Sequence, residues 1–94
     1  MALTKNLTVA ERRKLILAVK AGLAEQRIDA QVDLEKSGLP GRYRLFVVSS
    51  DFRKLAEAER QDILWRVLRE KWTREDQLRI TLALTSAEPA AEAG

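Results

Sequence analysis

The apolar positions near the start of the chain repeat with the spacing of an amphipathic helix. They share one helical face: Val9, Ile16, Val19 and Leu23, with Leu15 beside them. Thr8 and Glu11 have the spacing of a capping box, in which the Thr8 hydroxyl accepts from the Glu11 amide and the Glu11 carboxylate reaches back. The pattern therefore predicts a first helix from about Val9 to Glu25.

Two strands follow in the pattern and predict a β-hairpin. From Ile28 to Glu35 apolar residues alternate with acidic or amide residues, which is typical of a strand with one face in water. The loop from Ser37 to Gly41 ends it. Tyr43 to Val48 is denser in β-branched and aromatic residues and is apolar on both faces toward its end. We expect this interior strand to pair with the first.

The second half of the chain predicts a turn, a long helix and a third strand. Ser49, Ser50 and Asp51 are cap and turn residues, and Phe52 and Leu55 anchor a short turn or helical stub. A helix from about 56 to 72 follows, with an apolar side formed by Leu64, Val67, Leu68 and Trp72. Alternation over 78–85 predicts a strand with one buried face: Leu78, Ile80, Leu82 and Leu84.

The element order α-β-β-(short α)-α-β predicts an α+β fold, a two-layer α/β sandwich with a three-stranded sheet. Both main helices should cover one face of the sheet. We expect the other face, with Arg79, Thr81 and the acidic side of the first strand, to be open. A solvated polar face is the simpler interpretation and a contact surface is the alternative. The predicted organisation is an N-terminal arm (1–7), one domain (8–85) and a disordered tail (86–94).

Composition narrows the possible chemistry. The 94 residues include no histidine and no cysteine, so imidazole bases, thiolate nucleophiles and the usual zinc and iron–sulfur sites are excluded. The four glycines do not form a phosphate-binding loop. We therefore expect a protein that is not an enzyme and needs no metal or other cofactor. No apolar run approaches the roughly 20 residues of a membrane span, and we expect no secretory signal at the start and a cytoplasmic protein without a membrane partner.

The segment from Arg42 to Ser86 carries a resemblance to a known family. The strand Leu45-Phe46-Val47-Val48-Ser49, followed by Phe52 and Leu55, is similar to an FxVxVVS strand and its turn. Arg60-Gln61-Asp62 stands where that family has Arg-His-Arg, and Leu82-Ala83-Leu84 with Ser86 stands where it has HALAL and Thr. On these residues the chain resembles the BolA family, small regulators whose fold is similar to the type II KH domain.

The resemblance implies a protein partner of the monothiol glutaredoxin type. BolA-like proteins share an iron–sulfur cluster with that partner through a histidine near the last strand, which here falls on Ile80 or a neighbour. The loop from Ser37 to Gly41, where a second ligand would stand, offers none either. We therefore expect an adaptor that acts by protein contact without its own cluster ligands. The partner-contact candidates are Arg60, Gln61, Trp65, Arg79 and Thr81, although the spacing of Trp65 favours packing against the first helix.

Nucleic-acid binding is the alternative function, because the BolA family is linked to DNA binding and the sequence pI is about 9.6. The corresponding segment, 51–71, holds six basic and five acidic side chains, which is a poor balance for a surface that follows phosphates. The candidate contacts are Arg53, Lys54, Arg60 and Arg79. Gly38-Leu39-Pro40-Gly41 spells the GxxG of KH domains, but it lies between predicted strands and indicates a turn. The sequence leaves open the partner's identity, the choice of DNA or RNA, and the oligomeric state.

Overall fold

The computed structural model describes residues 5–88, which form an α+β sandwich of two layers. Its elements, in chain order, are α1 (Val9–Glu25), β1 (Gln31–Lys36), β2 (Tyr43–Val48), α2 (Glu57–Lys71), α3 (Arg74–Leu78) and β3 (Ile80–Ser86). The predicted fold class is confirmed. Residues 1–4 of the predicted arm and 89–94 of the predicted tail lie outside the described residues.

The sheet is mixed and has β2 in its centre. β1 and β2 form the predicted antiparallel hairpin, whereas β3 lies parallel to β2 on its other side. Tyr43, Leu45 and Val47 point from β2 into the core and are fully buried. They face the inner sides of α1 and α2, which supply buried residues from two helices: Val19, Leu23, Leu64, Val67 and Leu68. Burying these side chains is the main stabilising contribution to the fold.

The start of α1 is fixed by the predicted capping box. The Glu11 amide donates to Thr8 Oγ1 at 3.0 Å, and the Thr8 amide donates to Glu11 Oε1 at 2.8 Å. The helix runs from Val9 to Glu25, as the periodicity predicted. Val9 itself is 73% exposed, so its assignment to the buried face is wrong. The inward stripe of α1 gains its first large apolar side chains only at Leu15 and Ile16.

Two local details differ from the sequence expectation. The short stub before α2 is a 3₁₀ turn, Ser50–Lys54, capped by Ser49, whose side chain accepts from the Asp51 amide. A further helix, α3, was not predicted. It begins after Thr73, whose hydroxyl accepts from the Asp76 amide at 3.1 Å, and this N-cap converts the start of the expected third strand into one helical turn. The strand therefore begins at Ile80.

The apolar face of β3 is opposite to the one predicted. Tyr43 pairs with Ile80, but the next residue, Arg44, pairs with Leu82, so Thr81 is an extra residue in the register. One extra residue in a strand turns every following side chain to the other face. Leu82 and Leu84 consequently leave the core and are 46% and 42% exposed. Their assignment to the buried face is wrong.

Arg79 also departs from the expected position on the open face. Its side chain is buried, with only 6% of the residue exposed. Nη1 donates to the carbonyl oxygens of Lys5 at 2.8 Å and Gly41 at 3.2 Å, and Nε lies 3.7 Å from Asp76 Oδ1. Arg79 thus joins the N-terminal segment to the loop before β2.

The loop between β1 and β2 behaves as a turn, as its composition predicted. Gly38 and Gly41 have φ angles of 100° and 72°, in the left-handed region that glycine adopts without strain. The Gly41 amide donates to Asn6 Oδ1 at 2.9 Å. The glycines therefore serve the chain reversal and the docking of the N-terminal segment.

Candidate protein-contact face

The sheet has one face turned away from the helices, and the strand register defines it. Its nine residues lie in three adjacent rows, which we call the open face: Gln31, Asp33 and Glu35 on β1, Arg44, Phe46 and Val48 on β2, and Leu82, Leu84 and Ser86 on β3. The expectation of an open face is met, but its composition differs from the expected one. Apolar side chains occupy much of it, and neither Arg79 nor Thr81 belongs to these rows.

The apolar half of the open face spans β2 and β3. Phe46 and Val48 are half-buried, and the neighbouring Leu82 and Leu84 are exposed. An antiparallel or mixed sheet with one solvated face normally carries polar residues there. Adjacent exposed apolar side chains mark an interaction site more often than isolated ones do. This half of the face is therefore suited to contact with another apolar surface.

The polar half of the open face lies on β1. Asp33 and Glu35 are exposed carboxylates, and Arg44 of β2 lies 3.9 Å from Glu35. Asp33 Oδ1 accepts from the Leu34 amide at 2.9 Å. With two carboxylates and one guanidinium, the open face has a net charge of −1, although the whole chain is basic. A partner with an apolar stripe beside a basic flank would match both halves.

Arg60, a predicted contact residue, is held inside the molecule by three interactions. Its Nε donates to the Leu55 carbonyl at 3.0 Å, and its guanidinium lies 5.7 Å from the centre of the Phe52 ring. Glu57 pairs with it at 3.8 Å. Arg60 thus fastens the 3₁₀ turn to α2, and little of its side chain reaches solvent.

Gln61 and Trp65 lie together on α2 beside β3. Gln61 Nε2 donates to the Ala83 carbonyl at 3.0 Å, and Trp65 Nε1 donates to Gln61 Oε1 at 3.2 Å. Trp65 is partly buried and packs against the core; its expected contact with the first helix stays a prediction. Thr81 lies at the bulge and donates to the Tyr43 carbonyl at 3.3 Å. The structure thus brings Gln61 and Trp65 together beside the middle of β3, while Arg79 lies just before the start of β3 and donates to the Gly41 carbonyl.

The four nucleic-acid candidates do not form one basic surface. Arg53 and Lys54 are exposed on the 3₁₀ turn, and Arg53 lies 3.4 Å from Glu88. Arg60 is sequestered by its contacts with Leu55, and Arg79 is buried. Two neighbouring bases, one of them paired, remain from the predicted set.

Two titratable groups on the helices have displaced pKa values. The Thr8 amide, and after it the Thr8 hydroxyl, lower the pKa of Glu11. A hydrogen bond from Lys71 to Glu25, 2.9 Å long, raises the pKa of Lys71 and ties the end of α2 to the end of α1. Both shifts stabilise the charged form of the side chain.

Sequence reasoning missed the apolar half of the open face, although one signal for it was present. Tyr43 to Val48 was recognised as apolar on both faces, which implies that Phe46 and Val48 point away from the core. The two leucines of β3 had no such signal, because the alternation of that strand gives the same pattern for either face. The bulge at Thr81 decides on which face of the sheet the two leucines lie.

Across residues 5–88, no three acidic side chains are grouped so that they could hold a metal ion. In the same part of the chain, no helix is long and apolar enough to cross a bilayer. Comparison with protein-family models, curated proteins and solved structures returns no match. The assignment of the candidate site therefore rests on the geometry of the open face.

Proposed function

We propose that the chain is a non-enzymatic, BolA-like adaptor of the cytoplasm that binds a protein partner through its open face. The observation that supports this most directly is the apolar half of that face, where Phe46, Val48, Leu82 and Leu84 lie side by side away from the helices. Covering these side chains would bury apolar surface, which favours association.

The resemblance to the BolA family supplies the class of partner, a monothiol glutaredoxin. The chain has no histidine and no cysteine, so in this proposal its contribution to the complex is packing and charge. Any cluster ligands come from the partner. Gln61 and Trp65 lie next to β3 and extend the proposed contact along the edge of the sheet.

At the open face and at the predicted nucleic-acid contacts, the distribution of charge favours a protein partner over a nucleic acid. Phosphate contacts require several bases on one accessible surface, whereas Arg60 and Arg79 are engaged inside the fold. The open face is also net negative, which opposes binding of a polyanion. The experiment below therefore includes DNA, and binding of DNA would replace this proposal.

The experiment is an NMR titration of the labelled chain with a monothiol glutaredoxin, with a short DNA duplex run in parallel at two salt concentrations. We expect glutaredoxin to shift the resonances of Phe46, Val48, Leu82 and Leu84. The variant Leu82→Thr/Leu84→Thr should lose this response, since threonine keeps the strand propensity and removes the apolar surface. Leu39→Thr changes a leucine outside the face that is more exposed, at 61%, and should respond like wild type.

Two results would overturn the proposal. One is a glutaredoxin titration that leaves the open face unshifted in the wild-type chain. The other is a set of shifts at Arg53 and Lys54 with DNA that fades at the higher salt concentration, because such fading indicates counterion release from phosphates.

A further inference from the structure

The solvent side of α1 is a second surface that carries an exposed leucine. Its residues, which we call the outer face of α1, are Ala10, Arg13, Lys14, Leu17, Lys20, Ala21 and Ala24, all of them exposed. Leu17 is 55% exposed. At 100° per residue, Leu17 and the three alanines form one stripe, with Arg13 and Lys20 along one side of it and Lys14 on the other.

The outer face of α1 is strongly basic. Three of its seven residues are basic, Arg13, Lys14 and Lys20, and no acidic residue lies between Glu11 and Glu25. Glu11 is engaged with Thr8 in the capping box, and Glu25 is paired with Lys71 at 2.9 Å. The carboxylates at the two ends of the helix are therefore already occupied, and they do not offset the bases between them.

The outer face of α1 and the open face complement each other in two respects. Each has an apolar centre, Leu17 on the helix and the β2–β3 half on the sheet. The flanks have opposite charge, with Arg13 and Lys20 on the helix and Asp33 and Glu35 on β1. The β1 row is two strands away from the β3 row, roughly 10 Å, about the diameter of a helix with its side chains.

From this match we propose that the open face of one copy is covered by α1 of a second copy. Leu17 packs on Leu82 and Leu84, and the basic flank of the helix faces the carboxylates of β1. The sheet then has helices on both faces, which is the usual arrangement for a sheet that is apolar on both sides. The small side chains of Ala10, Ala21 and Ala24 let the helix approach the strands closely.

A symmetric sheet-to-sheet dimer fits the same face less well. A two-fold axis parallel to β2 would place Leu82 and Leu84 of each copy over Asp33 and Glu35 of the other, and an axis perpendicular to the strands would place the β1 carboxylates of the two copies over one another. The carboxylates would then lose water without gaining a basic partner, which is costly. The charge pattern therefore favours helix on sheet, a contact between two different surfaces.

The outer face of α1 and the open face lie on opposite sides of the two-layer sandwich, so this contact is head-to-tail and each added copy exposes both surfaces again. Association should therefore increase continuously with protein concentration and weaken at high salt, because oppositely charged flanks are screened. A glutaredoxin-type partner on the open face would compete with this association. That competition rests on the proposed function, whereas self-association does not.

The test is sedimentation velocity of the full chain over a wide range of protein concentration, with no partner present. We expect wild type to form species that grow with concentration, and Leu39→Glu to behave in the same way. Leu17→Glu buries a carboxylate against Leu82 and Leu84, where no base faces it, and Leu84→Lys buries an ammonium group against Leu17 of a basic helix face; both changes are costly. Each variant alone should be monomeric.

An equimolar mixture of Leu17→Glu and Leu84→Lys should form a dimer, because one variant keeps an intact sheet face and the other an intact helix face. Circular dichroism establishes that both variants are folded, and Leu17→Ser with Leu84→Thr replaces them if either is not.

The inference is overturned if wild type is monomeric throughout. It is equally overturned if Leu17→Glu associates like wild type, or if the mixture does not recombine. A monomeric wild type that binds glutaredoxin through the open face would overturn this inference and leave the proposed function standing.

Discussion

Gly22 of α1 lies directly against the side chain of Val67 of α2, so that a Cβ at position 22 would overlap Val67 Cγ1. Both residues are buried where the two helices meet. Alanine at position 22 would favour the helix by up to about 1 kcal/mol. The overlap, however, lies between buried, tightly packed atoms, where overpacking costs about 1–3 kcal/mol. The glycine therefore sets the distance between α1 and α2.

We expect Gly22→Ala to lower the free energy of unfolding by up to about 2 kcal/mol, the difference between these opposing terms. Urea titration followed by circular dichroism measures the change. In the background of Val67→Ala the added methyl group finds space, so the same substitution should be neutral or stabilising there. A Gly22→Ala protein at least as stable as wild type would contradict the close approach of the helices.

Arg79 is expected to act as a structural residue. Arg79→Met removes the donors to the Lys5 and Gly41 carbonyls while keeping an apolar stem, and should cost about 1.5–3 kcal/mol, the range for hydrogen bonds to charged groups. Hydrogen exchange should accelerate at the Leu7 and Gly41 amides, whose own bonds depend on the same junction. Unchanged exchange at both amides would show that the N-terminal segment docks without Arg79. Arg53→Met, on the surface, is the matched control.

The Tyr43 hydroxyl is expected to contribute about 1 kcal/mol to stability. It accepts from the Leu7 amide at 2.8 Å while its ring is fully buried, so Tyr43→Phe keeps the packing and removes the acceptor. Thermal unfolding should show a lower midpoint, with faster exchange at Leu7. A midpoint equal to that of wild type would mean that water replaces the hydroxyl as the acceptor.

Acid should weaken the start of α1. The hydrogen bonds from Thr8 lower the pKa of Glu11 in the folded chain, so the folded state binds this proton less readily than the unfolded state. The stabilisation is therefore complete above the ordinary carboxyl pKa and is lost as the pH falls through the lowered folded value.

The measurement compares thermal unfolding of wild type and Glu11→Gln over a series of pH values. We expect wild type to be more stable at neutral pH and the two proteins to converge in acid, since a protonated Glu11 resembles the amide. A difference that stays constant with pH would contradict the assigned role of the charge.

The bounds of the helices and of the central strand could be predicted from the sequence. α1 and β2 have the predicted bounds, and α2 differs from its predicted range by one residue at each end, because periodicity and capping are properties of neighbouring residues. Which side chains of β3 face the core could not be predicted from the sequence. It depends on the register between Arg44 and Leu82, which arises only when two distant strands pair.

In the candidate site, too, features set by neighbouring residues could be predicted and features set by distant contacts could not. Phe46 and Val48 could be placed on an open face from the composition of their own strand. Arg79 could not be excluded from that face, because its burial depends on carbonyl groups at Lys5 and Gly41, far away in the sequence. Carbonyl groups that accept hydrogen bonds from a residue far away in the sequence produce no pattern in the residues around it, so the burial of Arg79 could not be predicted.

The hydrogen bond from Gln61 to the Ala83 carbonyl has a consequence for how the sheet meets other chains. β3 is an edge strand, and edge strands with free backbone groups recruit foreign strands and seed fibrils. The Gln61 side chain already occupies one of these backbone acceptors. An invading strand must displace this amide before it can pair with β3 at Ala83, so α2 hinders strand addition at this position while the face of the sheet stays accessible.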